Sequence, residues 1–325
     1  MVGTNTGTRL NMTDYQIPLA RYEFNIRISR AFEQPDYAGS MLRGLFGHAL
    51  RKIACVTEQN QCKTCERYRQ CIYTEIFETP PPEQGHRLQK FSQIPAPYVI
   101  EPPKWGRKTF QYYDIFSFNM VLTGKALDNL PLIIFTWQEA LKQGIAKEKG
   151  SGVIESIYFC PADEEKQIVF SEQDEVLKAH NPLLALPNFK KVKQMELMFV
   201  SPLRLQKKGH LLNEKDISAR TLLISLSKRL NLVNEFHNNI QLLNDFQELS
   251  RWAEEIQMTE NMYWIDWSRY SNRQRQKMKL GGLLGSITFK GNLSPFFPLL
   301  YLGQWLHFGK NATFGMGRYQ LELVS

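Results

Sequence analysis

The chain has 325 residues, 43% of them apolar and 22% charged, with 40 Lys and Arg against 32 Asp and Glu for a formal net charge of +8. These proportions suit a folded globular protein with room for two domains, and they exclude a disordered or fibrous chain. No apolar run is long enough to span a bilayer, no secretory pattern opens the chain, and the basic balance favours a polyanionic partner, so no membrane and a cytoplasmic location are expected.

The opening dozen residues are small and polar and read as a frayed end. Residues 21–29 alternate, with Tyr22, Phe24, Ile26 and Ile28 on one side, which predicts a half-buried strand. From 39 to 55 the period becomes helical. Leu42, Leu45, Phe46, Ala49, Leu50 and Ile53 form a stripe, leaving His48, Arg51 and Lys52 on the opposite face. The proline-rich stretch 79–104 reads as a long surface loop. A strand at 116–122, a helix at 130–144 and strand-like runs at 153–160 and 167–170 follow, and the polar segment 179–193 reads as the linker. The second half opens with a strand at 194–205 and continues as one long helical region from 217 to about 256. A strand at 281–290, a helix at 294–307, a glycine-rich loop and a closing strand at 319–324 complete it. Periodicity alone supports two α+β halves.

Four of the five cysteines, Cys55, Cys62, Cys65 and Cys71, fall in one short window. In a reducing compartment such a cluster reads as a metal site before it reads as disulfides, and four thiolates close a tetrahedral structural zinc site. The Cys62-x-x-Cys65 pair has zinc-knuckle spacing, while the outer gaps are irregular. Reduced thiols without metal, or a redox or iron–sulfur role, are the alternatives. Nothing nearby suggests catalytic zinc. Cys160, alone on a strand, reads as a small buried residue.

The most informative run is LHFGKNATFGMGRY, residues 306–319, with three glycines, a histidine, Lys310 and Arg318. Glycines permit sharp turns whose clustered N–H groups cradle phosphates, or they merely serve a tight helix-to-strand connection. The spacing is neither a Walker loop nor a dinucleotide fingerprint. A second basic segment, from Arg269 to Lys279, holds Arg269, Arg273, Arg275, Lys277 and Lys279 with no acid, beside Tyr263, Trp264, Trp267 and Tyr270. Cations interleaved with aromatics suit phosphates and unpaired bases; a solvated hairpin with core tryptophans is the plain alternative.

Three segments, MLRGLFGHALR at 41–51 ahead of the cysteine cluster, WIDWSRYSNRQRQKMKLGGLLGSITFKG at 264–291, and the glycine-rich loop, resemble in order the CRISPR-associated RAMP-superfamily endoribonucleases that process repeat RNA. The resemblance implies an α+β fold of two tandem ferredoxin-like (RRM-like) units, 1–185 with the cysteine cluster inserted and 186–325 with the glycine loop. It implies cleavage of CRISPR repeat RNA without a catalytic cofactor, by 2′-hydroxyl attack that leaves 2′,3′-cyclic phosphate and 5′-hydroxyl ends. Such chemistry needs a base, an acid and positive charge at the phosphorus. His48 with Lys52 one turn later, Tyr37 just before that helix, and His307 are the candidate catalytic residues; His48 could instead pack against a neighbour, and His307 could cap its helix. Arg43, Arg51, the five cations of 269–279, Gly309, Lys310, Gly315, Gly317 and Arg318 are the candidate RNA contacts. CRISPR effector subunits are candidate partners. The competing readings are a non-catalytic guide-RNA subunit and, from another class, a zinc-containing DNA-binding regulator, for which no helix-turn-helix or regular finger spacing is seen.

Overall fold

The computed structural model describes residues 16–83, 94–187, 192–207, 209–242, 245–271 and 276–323. In the first half the elements are β1 (Gln16–Arg30), β2 (Phe32–Gln34), α1 (Gly39–Ala54), α2 (Ile72–Ile76), β3 (Tyr98–Glu101), β4 (Lys108–Phe110), β5 (Ile115–Thr123), α3 (Lys125–Asp128), α4 (Leu130–Gln143), β6 (Ser151–Cys160), β7 (Gln167–Ser171) and β8 (Leu183–Ala185). The second half holds β9 (Gln194–Leu203), β10 (Gln206–Lys207), β11 (His210–Leu211), α5 (Ala219–Asn238), α6 (Phe246–Glu254), β12 (Gln257–Ser271), β13 (Gln276–Lys290), α7 (Phe297–Leu306) and β14 (Tyr319–Leu323).

The two main sheets share one topology. The first runs β3-β5-β1-β6-β7, with β8 pairing the start of β1, and the second runs β12-β13-β9-β14. With α1 and α4 as crossovers in the first, and α5 and α7 in the second, each is the βαββαβ ferredoxin-like arrangement. All pairings in both sheets are antiparallel. Strict alternation decides β1: Tyr22, Phe24 and Ile26 are fully buried and face α1 and α4, packing with Phe46 and Trp137. The opposite side of this sheet is covered too. Ile17, Leu19, Val99 and Val121 join the core formed by α5, α7 and the second sheet. The halves therefore share an apolar interface, with α5 between them: its His237 donates to the Pro95 carbonyl at 2.7 Å and its Asn238 to Thr123 at 2.9 Å.

Three expectations change. The proline-rich stretch 79–104 is not all surface loop, because β3 within it is buried at every position and pairs with β5. Its prolines, Pro97 and Pro102, flank the strand, where no ladder N–H is needed. The single long helix is two, since α5 stops at Asn239 in the left-handed region (φ 56°) and α6 begins anew with Asp245 accepting from the N–H groups of Gln247 and Glu248. And β8 lies inside the segment read as a linker, extending the first sheet. Among the described residues, no helix is long and apolar enough to cross a membrane.

Candidate nucleic-acid interface

The glycine-rich loop is a keystone between the two units. Gly315 (φ 95°) sits so close to the first unit that a Cβ there would stand 2.3 Å from Pro102 Cδ and 2.8 Å from the Ile100 carbonyl oxygen. A Cβ on Gly317 (φ 70°) would stand 1.8 Å from the Phe308 carbonyl oxygen. Across the seam, the Phe314 carbonyl lies 2.0 Å from where a Gly39 Cβ would be and accepts the Tyr37 hydroxyl at 2.9 Å. The loop amides are mostly engaged internally: Phe308 N–H donates to Gly317, Lys310 to Arg204, Gly315 to Ala312 and Gly317 to Pro202. Arg318 N–H donates to Ser201 Oγ at 2.8 Å. The phosphate cradle expected at Gly315 and Gly317 is thereby corrected. Both are buried and their N–H groups already have acceptors. What the loop offers to solvent is Lys310, with Gly309 and Arg318 half-exposed.

His307 and Tyr37 are likewise drawn into the fold. His307 caps α7 in a conformation rare for any residue but glycine (φ 57°, ψ 173°). Arg229 holds this strained corner by donating to the Leu306 and His307 carbonyls, at 2.9 and 3.1 Å. The ring is wholly buried and bonds Glu101 Oε1 through Nε2 at 2.9 Å. Glu101, at the end of β3, also accepts from Arg21 at 2.9 and 3.0 Å, and the Arg318 guanidinium lies 3.6 Å away. Burial pushes the Glu101 carboxyl up, but Arg21, His307 and Arg318 outweigh it and hold it well below the usual carboxylate range. Burial lowers His307, against the pull of Glu101. The ring is therefore neutral, with Nε2–H donating and Nδ1 without a partner. Tyr37 is almost fully buried, and burial foremost raises its hydroxyl far above the normal tyrosine value. Both groups are enclosed by protein rather than standing open, unlike the catalytic placement expected for them.

His48 and Lys52 differ: both are exposed, one turn apart on the outer face of α1. They lie roughly 13 Å or more along the helix from Gly39, where α1 meets the glycine loop, at about 1.5 Å rise per residue. The structure does not bring His48 and His307 into one site. Arg43 and Arg51 are more engaged than expected. Arg43 stacks on the Phe77 ring at 4.2 Å, while Arg51 donates to the Gln59 carbonyl and, at 3.0 Å, to that of Asn60. Both residues are half-exposed and lie against the protein's own groups.

The basic segment forms the far end of the β12–β13 hairpin, where Arg269 pairs with Met278 and Lys277 with Tyr270 in the backbone register, and Lys279 pairs with Ser268. Arg273 and Arg275 lie outside the described residues. At its base an aromatic cluster joins Trp267 and Tyr37 to Trp105, a residue the sequence reading leaves out. Trp267 meets Trp105 at 5.0 Å edge to face and Tyr37 at 5.8 Å, and Tyr37 meets Trp105 at 5.0 Å. Trp105 is 44% exposed within a run, Lys104-Trp105-Gly106-Arg107-Lys108, whose charged residues are all exposed. Arg107 is paired with Glu33 and Asp36 at 3.3 Å, which leaves Lys104 and Trp105 the open positions. The signal, an aromatic flanked by cations, is present in the sequence just beyond the proline-rich stretch 79–104.

The four clustered cysteines line one cavity of about 220 Å³, together with Arg51, Thr57 and Tyr68. All are free thiols. Burial raises the Cys62 thiol, with Cys55 and Cys71 adding to the shift. For Cys55 burial also pushes upward, yet the N–H groups of Thr57 and Glu58 together with Arg51 outweigh it and lower the thiol. Cys160 lies apart on β6, half-buried.

Two ferredoxin-like units in tandem, locked by a glycine-rich loop, are the architecture that the sequence resemblance implied. A family model described as CRISPR-associated endoribonuclease Cas6 matches residues 197–319, and one described as an N-terminal domain matches residues 17–182. The second unit therefore carries a match to the Cas6 family, and the first a match to a separate N-terminal-domain model. Among solved structures, it is similar to a product complex of the Thermus thermophilus Cas6 TTHB231, at 12% identity and TM-score 0.56, covering 94% of this chain and 99% of that one. A product complex of the Cas6 TTHA0078 matches at 14% identity and TM-score 0.51, covering 94% and 99%. A partial Cas6-RT-Cas1–Cas2 complex matches at 14% and 0.52, covering 96% of this chain and 47% of that one. At these identities the likeness concerns the fold. No curated protein matches the chain.

Proposed function

We propose that the protein is a CRISPR repeat-RNA endoribonuclease that works without a metal. The 2′-oxygen beside the scissile phosphate bonds to phosphorus as its proton passes to a base. The bond from phosphorus to the 5′-oxygen breaks as an acid protonates the leaving oxygen. The products are a 2′,3′-cyclic phosphate and a 5′-hydroxyl. The observation that carries the reading is His48. Of the two histidines marked by the sequence it alone is open to solvent, with the Lys52 ammonium on the same helix face. An exposed imidazole can serve either proton role, and a lysine offsets charge on the phosphorane-like transition state. Single-stranded RNA is held by Lys310, Lys104, Trp105 and the β12–β13 hairpin, through phosphate contacts and base stacking.

End-labelled cognate repeat RNA incubated in excess EDTA tests this. One cut with cyclic-phosphate ends, lost in His48→Ala and retained in His307→Ala, is the expected result. A second reading, a guide-RNA subunit that binds without cutting, is favoured by the burial of His307 and Tyr37. It would be selected by tight binding with no cleavage in any buffer.

A further inference from the structure

The lobe between α1 and α2 has a defined shape with little core: of its residues only Cys62 and Cys71 pack, partly buried, against the core of the first unit. No residue from 51 through 72 is buried, and Val56, its large aliphatic, is 70% exposed. A segment that buries so little apolar surface cannot offset the entropy of ordering its backbone. Some other tie is required, and chains of this kind supply it with disulfides or metal. Disulfides are not formed here.

The placement of the thiols answers the need. Cys55 follows the last residue of α1, its N–H donating to the Arg51 carbonyl at 2.9 Å, and Cys71 is the residue that opens α2. The lobe's two stems thus each carry a thiol. Between them Cys62 and Cys65 flank a tight turn, Cys65 N–H donating to the Cys62 carbonyl at 3.0 Å, and a second turn follows as Tyr68 N–H donates to the Cys65 carbonyl at 3.0 Å. Arg51 pins the outgoing arm through the Gln59 and Asn60 carbonyls. Every one of the four thiols opens on the same cavity. Thr57 Oγ1 bridges two of them, 3.3 Å from Cys65 Sγ and 4.0 Å from Cys55 Sγ. The thiols do not yet converge on one point: no group of three or more ligating side chains stands at metal distance among the described residues.

From this geometry we infer that Cys55, Cys62, Cys65 and Cys71 bind one zinc ion, which ties the end of α1 to the start of α2 and has no part in RNA chemistry. Four thiolates supply the closed tetrahedral set of a structural site, with no position left for water or substrate. Binding releases the thiol protons and draws the sulfurs inward from the cavity wall by side-chain rotation.

Metal analysis of the full-length protein, purified under reducing conditions, tests the site independently of any RNA assay. About one zinc per chain is expected, together with thiolate-to-metal charge-transfer absorption after exchange with cobalt. Cys62→Ser with Cys65→Ser should reduce bound zinc to background, while Cys160→Ser and Cys65→His should retain it. Protein without zinc both as purified and after reconstitution, with all five cysteines freely titratable, would overturn the proposal. So would bound iron and sulfide in place of zinc. Neither result would bear on whether the chain cleaves RNA.

Discussion

The Nε2 of His307 rests 2.9 Å from Glu101 Oε1, and both side chains are within 1% of complete burial. One residue belongs to the second unit and the other to the first. Arg21 and Arg318 complete a cluster in which one buried carboxylate answers two guanidiniums and an imidazole across the seam. Removing one member of such a group costs far more than the group contributes net, because the others are left without partners. Glu101→Gln is expected to destabilise the protein by about 3–5 kcal/mol, and His307→Gln, which keeps a donor, by about 1–2 kcal/mol. Denaturant unfolding at constant slope measures both. Equal stability of Glu101→Gln and wild type would sink the account.

Acid should unfold the protein in two stages. His307 and His237 are lowered from 6.5, in both cases chiefly by burial. The stability they lend is whole above that pH and is lost as pH falls below it, since the unfolded chain then takes up protons that the folded chain refuses. Glu101, held below 4.5 by its cations against burial, lends stability above that value and loses it on further acidification. Unfolding free energies measured from pH 8 to 4 should be level at first. They should then fall by up to about 1.4 kcal/mol per pH unit for each histidine. His307→Gln should flatten part of the first decline; an unchanged profile would refute its share.

The glycines of the keystone loop should matter to folding before they matter to RNA. Gly315→Ala and Gly317→Ala force a Cβ onto Pro102 and the Phe308 carbonyl at backbone angles that L residues resist. Each is expected to cost about 2 kcal/mol or more. Lys310→Ala, on the exposed apex, should leave stability unchanged and weaken RNA binding. Thermal melts beside filter binding separate the two effects.

On α1 the expectation is reversed. His48→Ala should slow cleavage by about 10²–10⁴-fold, the usual contribution of a positioned proton-transfer group, with no loss of stability, and Lys52→Ala should slow it less. Single-turnover rates against pH provide the measurement. Wild-type rates in His48→Ala would remove the residue from the mechanism.

Trp105→Ala should weaken binding of single-stranded repeat RNA by about 1–3 kcal/mol with little salt dependence, as loss of a stacked base would. Lys104→Ala should instead lower the slope of log affinity against log salt by roughly one unit. Titrations at several salt concentrations tell the two apart.

Much of this arrangement was legible in the sequence. Alternation located β1, β5 and β6, helical stripes located α1 and α4, and three glycine-bearing segments pointed to the family. What stayed hidden depended on distant partners. Nothing near His307 announces Glu101, and β3, which carries that carboxylate, is short and bracketed by prolines, so local pattern spoke for a loop. The glycine loop reads in the sequence either as a place where backbone meets ligand or as a tight helix-to-strand connection. Its glycines let backbone meet backbone, and the two uses leave the same mark in a sequence. Trp105 gives no local signal of its contacts with Tyr37 and Trp267, which come from distant elements, while the exposure of His48 follows directly from its place opposite the α1 stripe.

The same buried cluster sets an order of events during synthesis. Glu101 and His307 are 206 residues apart, so at about 5–20 residues per second the ribosome takes roughly 10–40 s to deliver the imidazole after the carboxylate. Through that interval the first unit can complete its sheet and hold Glu101 with Arg21 alone, its outer face still without the cover of α5 and α7. The nascent chain is thus most exposed to misassembly at the point where half of it is already built, and the final loop closes the molecule as a latch.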